Sequence, residues 1–239
     1  MRLRSTPVGM KLFAKKEEME AIEKIRLPQE MFVACQIVGQ AVRLNWTVGV
    51  TAKNFIYSQC PSIMGLAPQD EEFFSGKMYK GVWFSTFEDA KAHQESMIVV
   101  PYGKYEAMAV SPLVSNRLTP PDICLIYATP AQMFILTAGL LHSGYEKLEW
   151  GSVGESSCSD SWGRALATGK PSMSIPCFAE RRFAGVTEDE MLIALKPADL
   201  VKAITGMEQL HRNGLRYPIP PYGVSIDVRG GLQHSYGSK

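Results

Sequence analysis

Five cysteines carry most of the chemical potential in this sequence, and two of them stand in matching surroundings. "GSVGESSCSDSWG" (151–163) and "NFIYSQCPSIMG" (54–65) each place a Ser within two residues before a Cys, and a small-residue turn nearby. In the first stretch Ser157 can cap a helix, and Asp160 three residues on completes a variant of the capping box. Cys158 then falls in the first helical turn, where free amide donors and the positive dipole end stabilise a thiolate or a bound anion. That makes Cys158 a candidate nucleophile and Ser156 and Ser157 candidate ligand contacts. In the second stretch Pro61 suits the first helical position, which leaves Cys60 at or near the N-cap. The plain alternative is that Ser, Asp and Pro cap two helices and small thiols pack beneath them.

The other three cysteines read differently. Cys35 lies in "PQEMFVACQIVGQAVRL" (28–44), whose apolar residues recur at helical spacing, so its default place is the core. Cys124 is mid-strand in "DICLIYA" (122–128), a continuous apolar run suited to a strand buried on both faces. Cys177 ends a strand-like segment at "SIPCFAERRF", where strand ends line crevices in layered α/β folds. Arg181 and Arg182 follow it and could hold a carboxylate or phosphate, or be a solvated pair.

Familiar motifs are missing: there is no CxxC, HExxH, Walker loop or GxSxG, and the four histidines share no ligand spacing. Lys plus Arg (25) nearly cancels Asp plus Glu (24), which argues against a nucleic-acid partner. The start, "MRLRSTPVGMKLFAKK", lacks the apolar run of about 7–15 residues of a signal peptide, and "PAQMFILTAGLLHSG" is too short to span a bilayer. A cytoplasmic protein with no membrane partner is expected. An odd number of cysteines in such a compartment favours thiol or metal roles over disulfides.

These residues must be positioned by the elements around them. Strand patterns at 7–14, 46–50, 105–114, 122–128, 147–153, 172–177 and 190–196 alternate with helical ones at 15–25, 28–44, 85–97, 130–142 and 197–214. Thr129 reads as an N-cap with Pro130 as first helical residue, and Gly214 ends the last helix. The alternation predicts a single α/β or α+β domain over 1–216, with mixed sheets covered by helices. The break "NRLTPPD" (116–122) offers a boundary between two similar halves, 1–116 and 117–216. Residues 217–239, rich in Pro and Gly, read as an extended arm, which makes a homo-oligomer plausible.

In order along the chain, "PVGMKLF", "FVACQIVGQA", "SQCPSIMGL", "PDICLIYATPAQMFILTAGLL", "SSCSDSWGRA", "IPCFAERRFAG" and "EDEMLIALKPADL" resemble the domain of unknown function 169 family over residues 7–210. The family is common in anaerobic bacteria and archaea and has no settled activity. The resemblance implies that Cys35, Cys60, Cys158 and Cys177 are motif cysteines, while Cys124 falls in no such motif. The chain departs from the pattern at Phe178, Ala179 and Glu180, where Gly or Ser is more usual, and it lacks a helix that often precedes the first strand. Four motif thiols are the usual complement of a four-iron cluster or a structural zinc, and the scattered spacing favours iron–sulfur. The leading expectation is an iron–sulfur-dependent redox or lyase-type enzyme, or an accessory protein, with Arg181 or Arg182 neutralising an acidic substrate or the cluster. A non-catalytic binding protein for a small anionic ligand and a metal-free thiol enzyme using Cys158 are the alternatives.

Overall fold

Residues 123–128, "ICLIYA", are buried at every position, and the reason is their place at the centre of a sheet. The computed structural model describes residues 1–221, 223–225 and 227. In chain order it contains β1 (Val8–Phe13), α1 (Lys16–Glu20), α2 (Ala34–Leu44), β2 (Val48–Thr51), α3 (Gln59–Ile63), α4 (Glu71–Phe74), α5 (Phe87–Ser96) and β3 (Ala107–Pro112). Then follow β4 (Ile123–Ala128), α6 (Pro130–His142), a π-helical turn (Ser159–Gly163), α7 (Arg164–Thr168), β5 (Ser172–Ser174), α8 (Phe178–Ala184), β6 (Met191–Leu195) and α9 (Pro197–Arg212).

The six strands form one sheet in the order β2-β3-β1-β4-β6-β5. Every ladder between them is antiparallel, with Val8 opposite both Pro112 and Leu125, and Cys124 opposite Leu195. The fold is therefore α+β, and segment 116–122 joins two strands of this same sheet. Side chains alternate along β4, so its two faces feed two cores. Cys124, Ile126 and Ala128 pack under α6 and α9 with Met133, Leu136 and Ala203. Ile123, Leu125 and Tyr127 face the opposite way, toward Cys35, Val38, Trp162 and Ala184 of α2, the π-helical turn and α8. The strand order on either side of the β1–β4 pair is symmetric, but α2 and α6 cover opposite faces.

Local chemistry explains most elements and several departures. Thr129 caps α6 as its sequence predicts: its Oγ1 accepts from Gln132 N–H at 3.4 Å, and Gln132 Oε1 accepts from Thr129 N–H at 3.1 Å. The expected helix over 15–25 stops after α1, because Arg26 must run beside β2, exchanging hydrogen bonds with Thr47 O and Gly49 N–H. The expected strand at 147–153 does not form. Val153 N–H instead donates to the Asp160 carboxylate at 3.1 Å, and Val153 O lies 3.0 Å from His93 Nδ1, which must be protonated to donate there. Its backbone groups are satisfied by side chains, so no neighbouring strand is required. Most of the expected arm at 217–239 lies outside the described residues.

Candidate functional site

Four of the five cysteines line one cavity of about 240 Å³ on the α2–α8 face of the sheet. Cys35 comes from the first turn of α2, Cys60 from α3, and Cys158 from the residue before the π-helical turn. Cys177 is the N-cap residue of α8. Cys124 is on the other face of the sheet, in the core under α6 and α9.

Two close approaches bring these separate elements together. A Cβ on Gly39 of α2 would stand 2.9 Å from Ala184 Cα of α8, so only glycine lets the Cys35 helix meet the Cys177 helix at this distance. A Cβ on Gly163 would stand 2.8 Å from Ile98 O and 3.0 Å from a methyl of Ile63 on α3, so glycine also seats the turn after Cys158 against the helix of Cys60. π-helical turns are uncommon and concentrate at functional sites.

A buried carboxyl ties the remaining pieces. Glu180, 1% exposed, accepts from Tyr127 Oη–H of β4 at 2.7 Å and from Ser157 Oγ–H. Ser157 Oγ in turn accepts from Cys177 N–H at 3.0 Å. The expected capping box around Cys158 is thus replaced by another arrangement. Ser157 turns inward to satisfy a buried acid, and Asp160 reaches back to Val153 N–H. Ser156 adopts the left-handed region at φ 66°, and its Oγ accepts from Gln59 Nε2–H at 2.6 Å. Tyr79 Oη–H donates to Gln59 Oε1 at 2.8 Å and stands 3.3 Å from Ser156 Oγ. Ser156 lines the cavity, while Ser157 supports Glu180 and α8 from within.

The arginines turn elsewhere. Arg181 Nε–H donates to Pro176 O at 3.1 Å and Nη1–H to Thr187 O at 2.6 Å. Arg182 is exposed and stacks against Phe178 and Phe183, 5.9 and 5.7 Å from the ring centres. Among the described residues no Lys, Arg or His lines the cavity.

The electrostatics follow from that lining. Burial pushes the Cys60 thiol up to about 11, with the neighbouring Cys177 adding to the rise. Burial and then Glu180 push Cys177 up to about 11 as well. Burial raises Cys35 further, with Glu180, Cys177 and Cys60 adding, and raises Cys158 well above the ordinary thiol value, with Cys60, Cys177, Glu180 and Cys35 adding. Burial also raises Glu180 and Glu155, against hydrogen bonds that favour their charged forms. At neutral pH the four thiols are protonated. Desolvation outweighs the helix-start effect expected at Cys158.

Sequence reasoning missed Glu180, Gln59 and Tyr79. Glu180 had a local signal: it lies three residues after Cys177, on the same face of a short helix. Gln59 and Tyr79 had none, because a tertiary hydrogen-bond network defines them. Among the described residues no three His, Cys, Asp or Glu side chains are arranged around a single ion position. Among the same residues no helix is long and apolar enough to cross a membrane.

Fold and site together define an α+β protein with one antiparallel sheet and a thiol-floored cavity on one face. The chain belongs to the domain of unknown function 169 family, described as "Uncharacterised ArCR", which matches residues 1–206. It is similar to the uncharacterised protein MJ0308 of Methanocaldococcus jannaschii, with 26% identity over 145 residues, 59% of this chain and 61% of that one. The chain thus spans about three-fifths of that relative's length. No solved structure matches it.

Proposed function

We propose that this is a cytoplasmic iron–sulfur protein that holds a cluster with Cys35, Cys60, Cys158 and Cys177, in a redox, lyase-type or accessory role. The observation that carries the reading is the meeting of four thiols, from four separate elements, in one cavity that the fifth cysteine does not reach. The donor set fits a multinuclear group better than one metal ion. In a four-iron cluster each thiolate binds a different iron, so its ligands stand around a larger body than a single ion presents.

Such a cluster, when bound, supplies electron transfer or a Lewis-acidic iron. The chain's own residues supply the rest. The thiols, raised by burial, must each lose a proton on binding, so binding is coupled to proton release and strengthens with pH. Glu180, held by Tyr127 and Ser157, anchors the α8 start that presents Cys177. The metal-free nucleophile reading is weaker, because burial raises Cys158 and no base lies against its thiol among the described hydrogen bonds.

The test is purification under strict anaerobiosis, with iron, acid-labile sulfide and visible absorbance measured on the same sample. Stoichiometric iron and sulfide lost in Cys60→Ser and Cys158→Ser is the expected result. Colourless, metal-free protein that cannot be reconstituted with iron and sulfide, and whose fold survives all four Cys→Ser substitutions, overturns the reading.

A further inference from the structure

The mouth of the thiol cavity has a different chemistry from its floor. Tyr57, Phe73, Tyr79, Trp83, Phe178 and Phe183 line it, contributed by the start of the α3 segment, residues 73–83 and α8. Neighbouring rings meet edge to face: Tyr57 and Phe73 at 6.1 Å and 69°, Phe73 and Tyr79 at 6.4 Å and 68°, Trp83 and Phe178 at 5.8 Å and 61°. The opening is thus walled by aromatic rings, whose faces carry the negative end of the ring quadrupole. Trp83 and Phe178 are still 44% and 54% exposed, which leaves apolar surface uncovered at the opening.

The charge of the lining is one-sided. Among the described residues its charged residue types are Glu155 and the buried Glu180 alone, and four thiols line it with them. Arg181 is committed to Pro176 O and Thr187 O, and Arg182 lies on Phe178 and Phe183 without lining the cavity. A cluster held by four thiolates would add negative charge that no lining residue balances. Whatever enters must bring the balancing charge or have none.

We propose that the cavity mouth binds a small organic cation of the methylated-ammonium type, seated on the Trp83–Phe178 wall with Glu155 as its counter-charge. Aromatic faces favour such cations, and a cavity of about 240 Å³ limits the ligand to a few heavy atoms. The sign is opposite to the anionic ligand expected from Arg181 and Arg182. The inference deepens the reading of this cavity as the functional site and names the ligand class it admits beside the cluster.

Three probes of nearly one shape and different charge test it: tetramethylammonium, 2,2-dimethylpropan-1-ol and pivalate. Each is titrated into the anaerobically purified protein, in its metal-free and iron-loaded forms, with calorimetry and tryptophan fluorescence as readouts. The expected result is saturable binding of the cation about tenfold tighter than pivalate, with the alcohol between them. Trp83→Ala should weaken the cation severalfold, and Glu155→Gln should shrink the preference for cation over alcohol. Pivalate binding as tightly as the cation, no saturable binding of any probe, or a cation affinity untouched by Trp83→Ala overturns the inference. The two readings fail separately: iron and sulfide content decides the cluster, and cation affinity of the metal-free form decides this site.

Discussion

Replacing Tyr127 by Phe removes one hydroxyl and nothing else, which makes it the cleanest probe of the buried carboxyl beneath the cavity. Tyr127 is 2% exposed and Glu180 1%, so water cannot take the place of the lost donor. The ring keeps its volume and its place opposite Leu192, so no cavity term enters. What is lost is a 2.7 Å hydrogen bond to a carboxyl oxygen that has no other side-chain donor among the described contacts. Such a loss costs about 1–3 kcal/mol, the upper end applying if the carboxyl is ionised. For a chain of this size that is a fall of about 2–4 °C in Tm per kcal/mol. Urea unfolding followed by the fluorescence of buried Trp162 measures the cost directly. A double-mutant cycle with Glu180→Gln isolates the pair, with an expected coupling of about 0.5–3 kcal/mol. The hydrogen bond lowers the Glu180 pKa against burial, so Tyr127→Phe should also push that carboxyl further up. A cost below about 0.5 kcal/mol, with strictly additive double-mutant energies, would refute the argument that this contact holds the floor of the site together.

Three further outcomes are expected. Alkylation of Cys60 and Cys177 in the metal-free protein by iodoacetamide at pH 7 should be about two orders of magnitude slower than that of an unhindered thiol, and should still be rising at pH 10, because both thiols titrate near 11. A plateau near pH 8 in a pH–rate profile would contradict the electrostatics given above. Glu180→Gln should change the pH dependence of stability. A carboxyl raised on folding costs the native state nothing below its unfolded pKa and progressively more as pH rises from there toward its folded pKa, so the variant should gain on the parent above about pH 4.5 in denaturation series. Arg43→Met, which strips the partner from the nearly buried Glu190 and frees the far end of α2, should cost about 2–3 kcal/mol at pH 7. Glu190 is held low because hydrogen bonds from Ser5, Thr187 N–H and Arg43 outweigh the burial that raises it. The parent therefore loses this contribution below about pH 4.5, and the difference between parent and variant should narrow there.

Apolar periodicity, Thr129 with Pro130, and the fully apolar run at 123–128 were enough to mark the central strands and the long helices, because those signals act within a few residues. The family resemblance, and not these signals, separated Cys124 from the other four cysteines, since periodicity alone placed Cys35 in the core as well. What they could not reach is anything that depends on a partner far along the chain. Val153 gave up its strand because Asp160 and His93 satisfied its backbone. Ser157 left its cap because the second oxygen of buried Glu180, twenty-three residues on, takes it as donor beside Tyr127 on the first. Gly39 and Gly163 matter through the close approaches they admit, to Ala184 and to Ile98 and Ile63, all far from them in the chain. The sequence by itself determined which thiols stand beside helix starts and strand ends. The tertiary structure alone decided that four of them face one cavity, that its charge is acidic where two arginines stood next to Glu180 in the chain, and that aromatic rings close it. The reason is physical: capping and periodicity are local, whereas burial, close packing and the field inside a cavity are sums over residues the chain brings together only when it folds.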